Sequence, residues 1–200
     1  RMGAVLVGPA GVGKSTVADA VARAAGERGE LVVRVRATVG SSELPLAAFS
    51  GWLKSTEQFL TPMITEIMAT IRTAAQGGPV LLVIDDIDLL DDASSVLVHQ
   101  LLLSGSTRLL ATMRRGRLLP GDVADLRARG DIEVIELDPL DEADTRALAE
   151  SVADAPLSDD AHRRLHALTR GNPLYTRVLI ASARQAGLAL DGTVELPTDA

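Results

Sequence analysis

The sequence predicts a three-layer α/β fold, a parallel sheet with helices on both faces, followed by a small all-helical domain. Short apolar, β-branched runs alternate with stretches of helical spacing through about residue 138. A glycine-rich turn separates the first such run from the first helix. After Asp138-Pro139 the strand patterns stop and only helical ones remain.

Each element follows in order. Residues 4–7 form a short apolar run ending at Gly8 and read as a buried strand. Residues 15–25 space Val17, Val21 and Ala24 as a helix, and Gly26 ends it. Residues 31–37 read as a second strand and residues 40–45 as a loop. Residues 46–53 and 56–75 read as helices, with Pro62 as a break or kink. Gly77-Gly78-Pro79 is a turn. Residues 80–84 make the most apolar strand, 92–103 a helix, 107–112 a fourth strand and 132–137 a fifth. Residues 141–151, 158–169 and 173–186 read as helices, and Ser158-Asp159-Asp160 suits a helix start. The predicted organisation is therefore a sheet domain over 1–138, a helical domain over 139–190, and a polar linker or tail over 191–200.

Composition narrows the function classes. Apolar residues make up 46% of the 200, as in a globular chain. The net charge of −7 and an aromatic content of 2% argue against nucleic-acid binding by this segment. Cysteine is absent, which excludes disulfides and thiolate metal sites. No apolar run is long enough to span a bilayer and no signal peptide is read at the start, so the expected setting is cytoplasmic. A strand beginning almost at Arg1 suggests a piece of a longer protein.

The segment Gly8-Pro9-Ala10-Gly11-Val12-Gly13-Lys14-Ser15 fits GxxxxGK[ST] without mismatch. Glycines let the backbone curl around phosphate oxygens, and its N–H groups with the following helix N-terminus form an anion site. Lys14 reaches the terminal phosphates as a point charge, Ser15 is placed to ligate Mg²⁺, and Thr16 adds a further phosphate contact. One of the chain's two lysines stands at this position. A plain glycine turn between strand and helix is the bland alternative.

The third strand ends in Asp85-Asp86. Ligands of open α/β sheets sit beyond the carboxyl ends of the strands, so these acids and the phosphate loop share one edge. Asp85 would hold Mg²⁺ through water, and Asp86 would orient the attacking water. Asp88, Asp91 and Asp92 read as solvated turn or cap residues. The fourth strand leads into Met113-Arg114-Arg115. If it lies between the first and third strands, Arg114 or Thr112 registers the terminal phosphate; Arg115 and Arg117 read as a basic surface loop. Thr169-Arg170-Gly171-Asn172-Pro173-Leu174-Tyr175 joins two helices, with Gly171 ending one and Pro173 starting the next. His99, His162 and His166 read as surface or helix-face residues, Phe49, Trp52 and Phe59 as packing, and Arg163-Arg164 as a solvated face.

On GPAGVGKST, VLLVIDDIDLLDDAS, LLATMRR, LTRGNPLY and LPLAAF, the chain resembles the STAND class of P-loop ATPases, an AAA+/NACHT-like group. Within it the chain is most similar to the ATPase domain of large ATP-binding LuxR-type transcriptional regulators. The resemblance implies the strand order 5-1-4-3-2, a sensor role for Arg114, and contact between Pro173 and the nucleotide base. It also implies an ATP/ADP switch with slow hydrolysis and ATP-dependent self-association of the full-length protein. The segment that helps enclose adenine ahead of the first strand is nearly missing, and the winged-helix, sensor and DNA-binding helix-turn-helix regions are absent. The chain alone is therefore expected neither to bind DNA nor to switch fully. An oligomeric AAA+ motor or clamp-loader-like ATPase is the alternative, with Arg127 or Arg129 acting in trans. A small-molecule kinase fits less well. No guanine-reading NKxD stretch occurs, which favours ATP.

Overall fold

The computed structural model describes residues 1–40, 44–53 and 59–185. Five strands form one parallel sheet: β1 (Gly3–Gly8), β2 (Leu31–Arg36), β3 (Val80–Asp85), β4 (Thr107–Arg114) and β5 (Ile132–Glu136). The order across the sheet is β2-β3-β4-β1-β5, the expected one read from the other edge. β4 therefore lies between β1 and β3, with Gly8 in register with Arg114 and Ile84 with Ala111. Central β3 is apolar along its length because helices cover both faces, and Val80 through Ile84 are all buried. Edge strand β2 alternates buried Val33 and Val35 with exposed Arg34 and Arg36, which blunts the open edge.

The helices around the sheet are α1 (Lys14–Glu27), α2 (Leu60–Ala74), α3 (Asp92–Leu103) and α4 (Gly121–Ala128). α1 lays Ala18, Ala22 and Ala25 inward. α3 is opened by Asp91, whose side chain accepts the Ser94 N–H at 2.9 Å and also the Leu46 N–H at 3.1 Å.

Several local expectations are corrected. Residues 46–53 form a short 3-10 helix, Ala47–Trp52, entered through Leu46 in the left-handed region at φ 61°. Pro62 neither breaks nor kinks α2. It lies in the first turn, where a missing N–H has no intrahelical partner to lose; residues 56–58 of that predicted helix lie outside the described residues. α4 carries little periodicity, and only Val123 and Leu126 anchor it. Phe49 is fully buried, whereas Phe59, expected to pack, is exposed ahead of α2.

Three further helices follow: α5 (Glu142–Ala153), α6 (Asp159–Thr169) and α7 (Pro173–Gln185). They share a core of Ala149, Ala153, Leu157, Leu165 and Ile180. Asp141 and Ser158 cap α5 and α6 through the N–H groups of Asp144 and Ala161. The chain divides into two compact units. One holds Arg1–Gly8 and Lys14–Glu136. The other holds the helices from Leu137 onward together with Pro9–Gly13, so the tip of the glycine-rich loop groups with the helices and not with the sheet. The expected tail 191–200 lies outside the described residues. None of the described helices is long and apolar enough to cross a membrane.

Candidate functional site

In the sheet unit the site is built where β1, β3 and β4 end. The loop after β1 turns into α1 at Lys14, which is buried at 8% exposure although it is charged. Its Nζ donates to the Gly8 carbonyl at 2.9 Å, and that same carbonyl accepts the Arg115 N–H at 3.2 Å. Burial pulls the Lys14 pKa below its usual value. Asp86 opposes that shift most, Arg114 adds to it, and Asp85 and Asp88 oppose it further. A buried ammonium among these groups is a fixed positive point at the end of the sheet.

Asp85 ends β3, and its carboxylate is held on both oxygens. Oδ1 accepts the Ser15 hydroxyl at 3.1 Å and the Thr112 hydroxyl at 2.8 Å, and Oδ2 meets the Arg36 guanidinium at 3.3 Å. Thr112 is 1% exposed. Its hydroxyl also accepts the Asp86 N–H at 3.0 Å, so its single proton and one lone pair are committed to the acidic pair. Asp86 takes φ 53°, a left-handed conformation that Asp tolerates, and opens a 3-10 turn over Ile87–Leu89. Thr112 is thus a fastener between β4 and the end of β3. Arg114 is the last residue of β4, exposed and opposite Gly8, with its charge felt at Lys14.

The loop tip is held separately, within the helical unit. Asn172 Nδ2 donates to the Ala10 carbonyl at 2.9 Å, and the Leu174 N–H donates to the Gly11 carbonyl at 3.2 Å. The Asn172 Oδ1 accepts the N–H groups of Leu174 and Tyr175, as an N-cap of α7 does. Pro173 follows at the first position of that helix. Gly11 sits at φ +78°, and a Cβ there would stand 2.7 Å from Asn172 Oδ1, so the loop admits only glycine at this contact. Gly171 is equally constrained, since a Cβ would stand 1.9 Å from the Leu140 carbonyl oxygen.

Within the sheet unit, a buried cation after β1, two acids at the end of the next-but-one strand and the Thr112 hydroxyl of the strand between them lie at the carboxyl end of the sheet, where ligands of open α/β sheets bind. The family model for the NACHT domain matches residues 3–156. The chain belongs to the NACHT domain family. This domain is a P-loop NTPase of AAA+-like fold. Its solved neighbours include a DNA replication initiation factor (TM-score 0.64, 17% identity, covering 93% of this chain and 56% of that one). A RuvB point mutant from Thermotoga maritima gives 0.66 and 20%, covering 95% and 58%. AMPPCP-bound DnaA from Aquifex aeolicus gives 0.61 and 17%, covering 92% and 56%. The chain thus spans a little over half of each of these structures, and at such identity the likeness is one of fold. No curated protein matches significantly.

The sheet unit brings Lys14, Ser15, Asp85, Asp86 and Arg114 to the carboxyl end of the sheet. The helical unit places Ala10, Gly11, Asn172 and Pro173 together. Four residues carry more than their sequence context suggests. Asp88, expected to be solvated, has a side chain only 5% exposed; it meets Arg117 at 3.8 Å and leaves Oδ1 without a hydrogen bond. His162, expected at a surface or on a helix face, lies on α6 with its side chain turned inward, 4% exposed and with neither ring nitrogen hydrogen-bonded. Asn172 reads locally as a helix cap, and Arg36 as one exposed residue of an edge strand. No sequence signal sets Asp88 beside Arg117, Arg36 on Asp85 or Asn172 on Ala10, or buries the His162 ring.

Proposed function

We propose that this domain is the ATP-binding switch module of a larger LuxR-type transcription regulator, with slow hydrolysis resetting it. The observation that carries the reading is Lys14, a buried ammonium held on the Gly8 carbonyl at the end of β1, within reach of the charges of Asp85 and Asp86. A desolvated cation costs stability in the free chain and is accounted for by an anionic ligand. In this reading the loop from Gly8 to Thr16 wraps the phosphates of ATP or ADP, with Lys14 on the terminal ones. Ser15 and Asp85 supply oxygen ligands for Mg²⁺. Their oxygens stand 3.1 Å apart, a donor set that suits a hard cation completing its shell with phosphate and water. Bound there, Mg²⁺ neutralises charge on the phosphates. Asp86 orients the attacking water, Arg114 senses the terminal phosphate, and Pro173 lines the base. DNA binding, an upstream signal and ATP-dependent self-association belong to the full-length protein, in a cytoplasmic setting.

Calorimetric titration with Mg·ATP and Mg·ADP, beside Lys14→Ala, tests this. One nucleotide per chain, loss of most affinity in the variant, and different heats for the two nucleotides support a switch. Unchanged affinity in Lys14→Ala removes the phosphate-site reading.

A second reading, an oligomeric AAA+ ATPase, is consistent with the AAA+-like fold. Hydrolysis per chain that rises with protein concentration supports it, through an arginine acting in trans such as Arg127 or Arg129. A concentration-independent rate supports the switch.

A further inference from the structure

We propose that Arg36 is a placeholder cation for the metal site: in the nucleotide-free domain its guanidinium holds Asp85, and Mg²⁺ binding displaces it. The inference rests on the reading of Ser15 and Asp85 as metal ligands, and it adds a residue that sets how much Mg²⁺ the site requires.

Asp85 Oδ1 already accepts two hydroxyls, from Ser15 and Thr112. Oδ2 is the less committed oxygen, and the Arg36 guanidinium stands 3.3 Å from it. A divalent cation and a guanidinium compete for the same lone pairs and repel each other, so occupancy by one disfavours the other. The Arg36 side chain is 74% exposed, so it leaves Asp85 without breaking a packed contact. Arg36 ends the edge strand and borders a cleft of about 260 Å³ lined also by Ser15, Asp19, Arg34 and Asp85. Arg34, two residues back on the same face, pairs with Asp19 of α1 instead. β2 thus presents two arginines to the cleft, and Arg36 alone of the two touches the candidate metal ligand.

The pair has opposite effects in the two states. Without metal, Arg36 offsets the Asp85 charge that would repel incoming phosphates. With metal, it is a competitor. An exposed ion pair is worth at most about 1 kcal/mol, which corresponds to a shift of about threefold to fivefold in a midpoint.

The test is equilibrium binding of a fluorescent ADP analogue, titrated with Mg²⁺ and repeated in EDTA. Wild type, Arg36→Gln, Arg36→Lys, Arg34→Gln and Asp85→Asn are compared. Arg36→Gln is expected to lower the Mg²⁺ midpoint about threefold to fivefold while weakening binding in EDTA. Arg36→Lys keeps the charge and stays near wild type. Arg34→Gln removes the same charge from the same face and leaves the midpoint unchanged. A midpoint that is unchanged or raised in Arg36→Gln overturns the proposal while leaving the metal reading intact. An equal shift in Arg34→Gln overturns it too, because general electrostatics then suffices. If wild type binds without Mg²⁺ dependence, or Asp85→Asn keeps that dependence, the metal reading itself fails and takes this proposal with it.

Discussion

Replacing Thr112 by valine keeps the volume of a side chain that is 1% exposed and removes only its hydroxyl. Two hydrogen bonds go with it: the one donated to Asp85 Oδ1 at 2.8 Å and the one accepted from the Asp86 N–H at 3.0 Å. A bond to a charged group contributes about 1.5–3 kcal/mol and a neutral one about 0.5–1.5 kcal/mol, a sum of about 2–4.5 kcal/mol. The Asp85 side chain is 22% exposed, so water replaces part of what its carboxylate loses, and the lower end applies, about 2 kcal/mol. For a chain of this size that lowers Tm by about 4–8 °C. Trp52, the single tryptophan, packs against the core of the sheet unit, so urea titration followed by its fluorescence reports on that unit. Thr112→Ser retains the hydroxyl and should recover most of the loss. If Thr112→Val unfolds within about 0.5 kcal/mol of wild type, or if serine is as damaging as valine, Thr112 does not fasten the acidic pair.

Other consequences follow from the helical unit. Asn172→Asp keeps the oxygen that caps α7 but loses the donor to the Ala10 carbonyl. It should leave the melt nearly unchanged yet weaken nucleotide binding, whereas Asn172→Ala should also cost about 1 kcal/mol of stability through the lost cap; equal affinity of Asn172→Asp and wild type in calorimetry would sink the idea. Gly171→Ala places a Cβ against the Leu140 carbonyl at φ +72°; the helices should lose protection in hydrogen exchange, and an unaltered exchange pattern contradicts the geometry. His162 titrates below its usual value, chiefly through burial and then through the Arg146 charge, with Glu150 and Asp159 opposing. The folded unit therefore binds the proton less readily than the unfolded chain. Stability should be full above about pH 6.5 and fall as pH drops below it. Melts of wild type and His162→Leu across that range check this, and identical slopes refute it.

The sheet was legible because apolar β-branched runs such as Val80–Ile84 have one stable solution, a parallel strand covered on both faces. The phosphate loop was legible because Gly11, Lys14 and Ser15 are fixed by local backbone geometry and by the type of charge they bring to a phosphate. α4 was not, because an eight-residue helix anchored by Val123 and Leu126 has almost no period to detect. The burial of the Asp88 and His162 side chains was not legible for a related reason: both are polar residue types that usually stay in water, and their burial is imposed by elements packed around them and not by their own segment.

The sequence by itself determined the α/β class, the loop that can wrap an anion, and the acids at the end of the third strand, since each is encoded within a few consecutive residues. Only the tertiary structure decided which side chains close on one another. It set Thr112 on Asp85 and Asp86, Arg36 on the second oxygen of Asp85, and Asn172 on Ala10. Those pairings join residues 26, 27, 49 and 162 positions apart. Contacts at such separations are fixed by strand order and by helix docking, which no local pattern encodes.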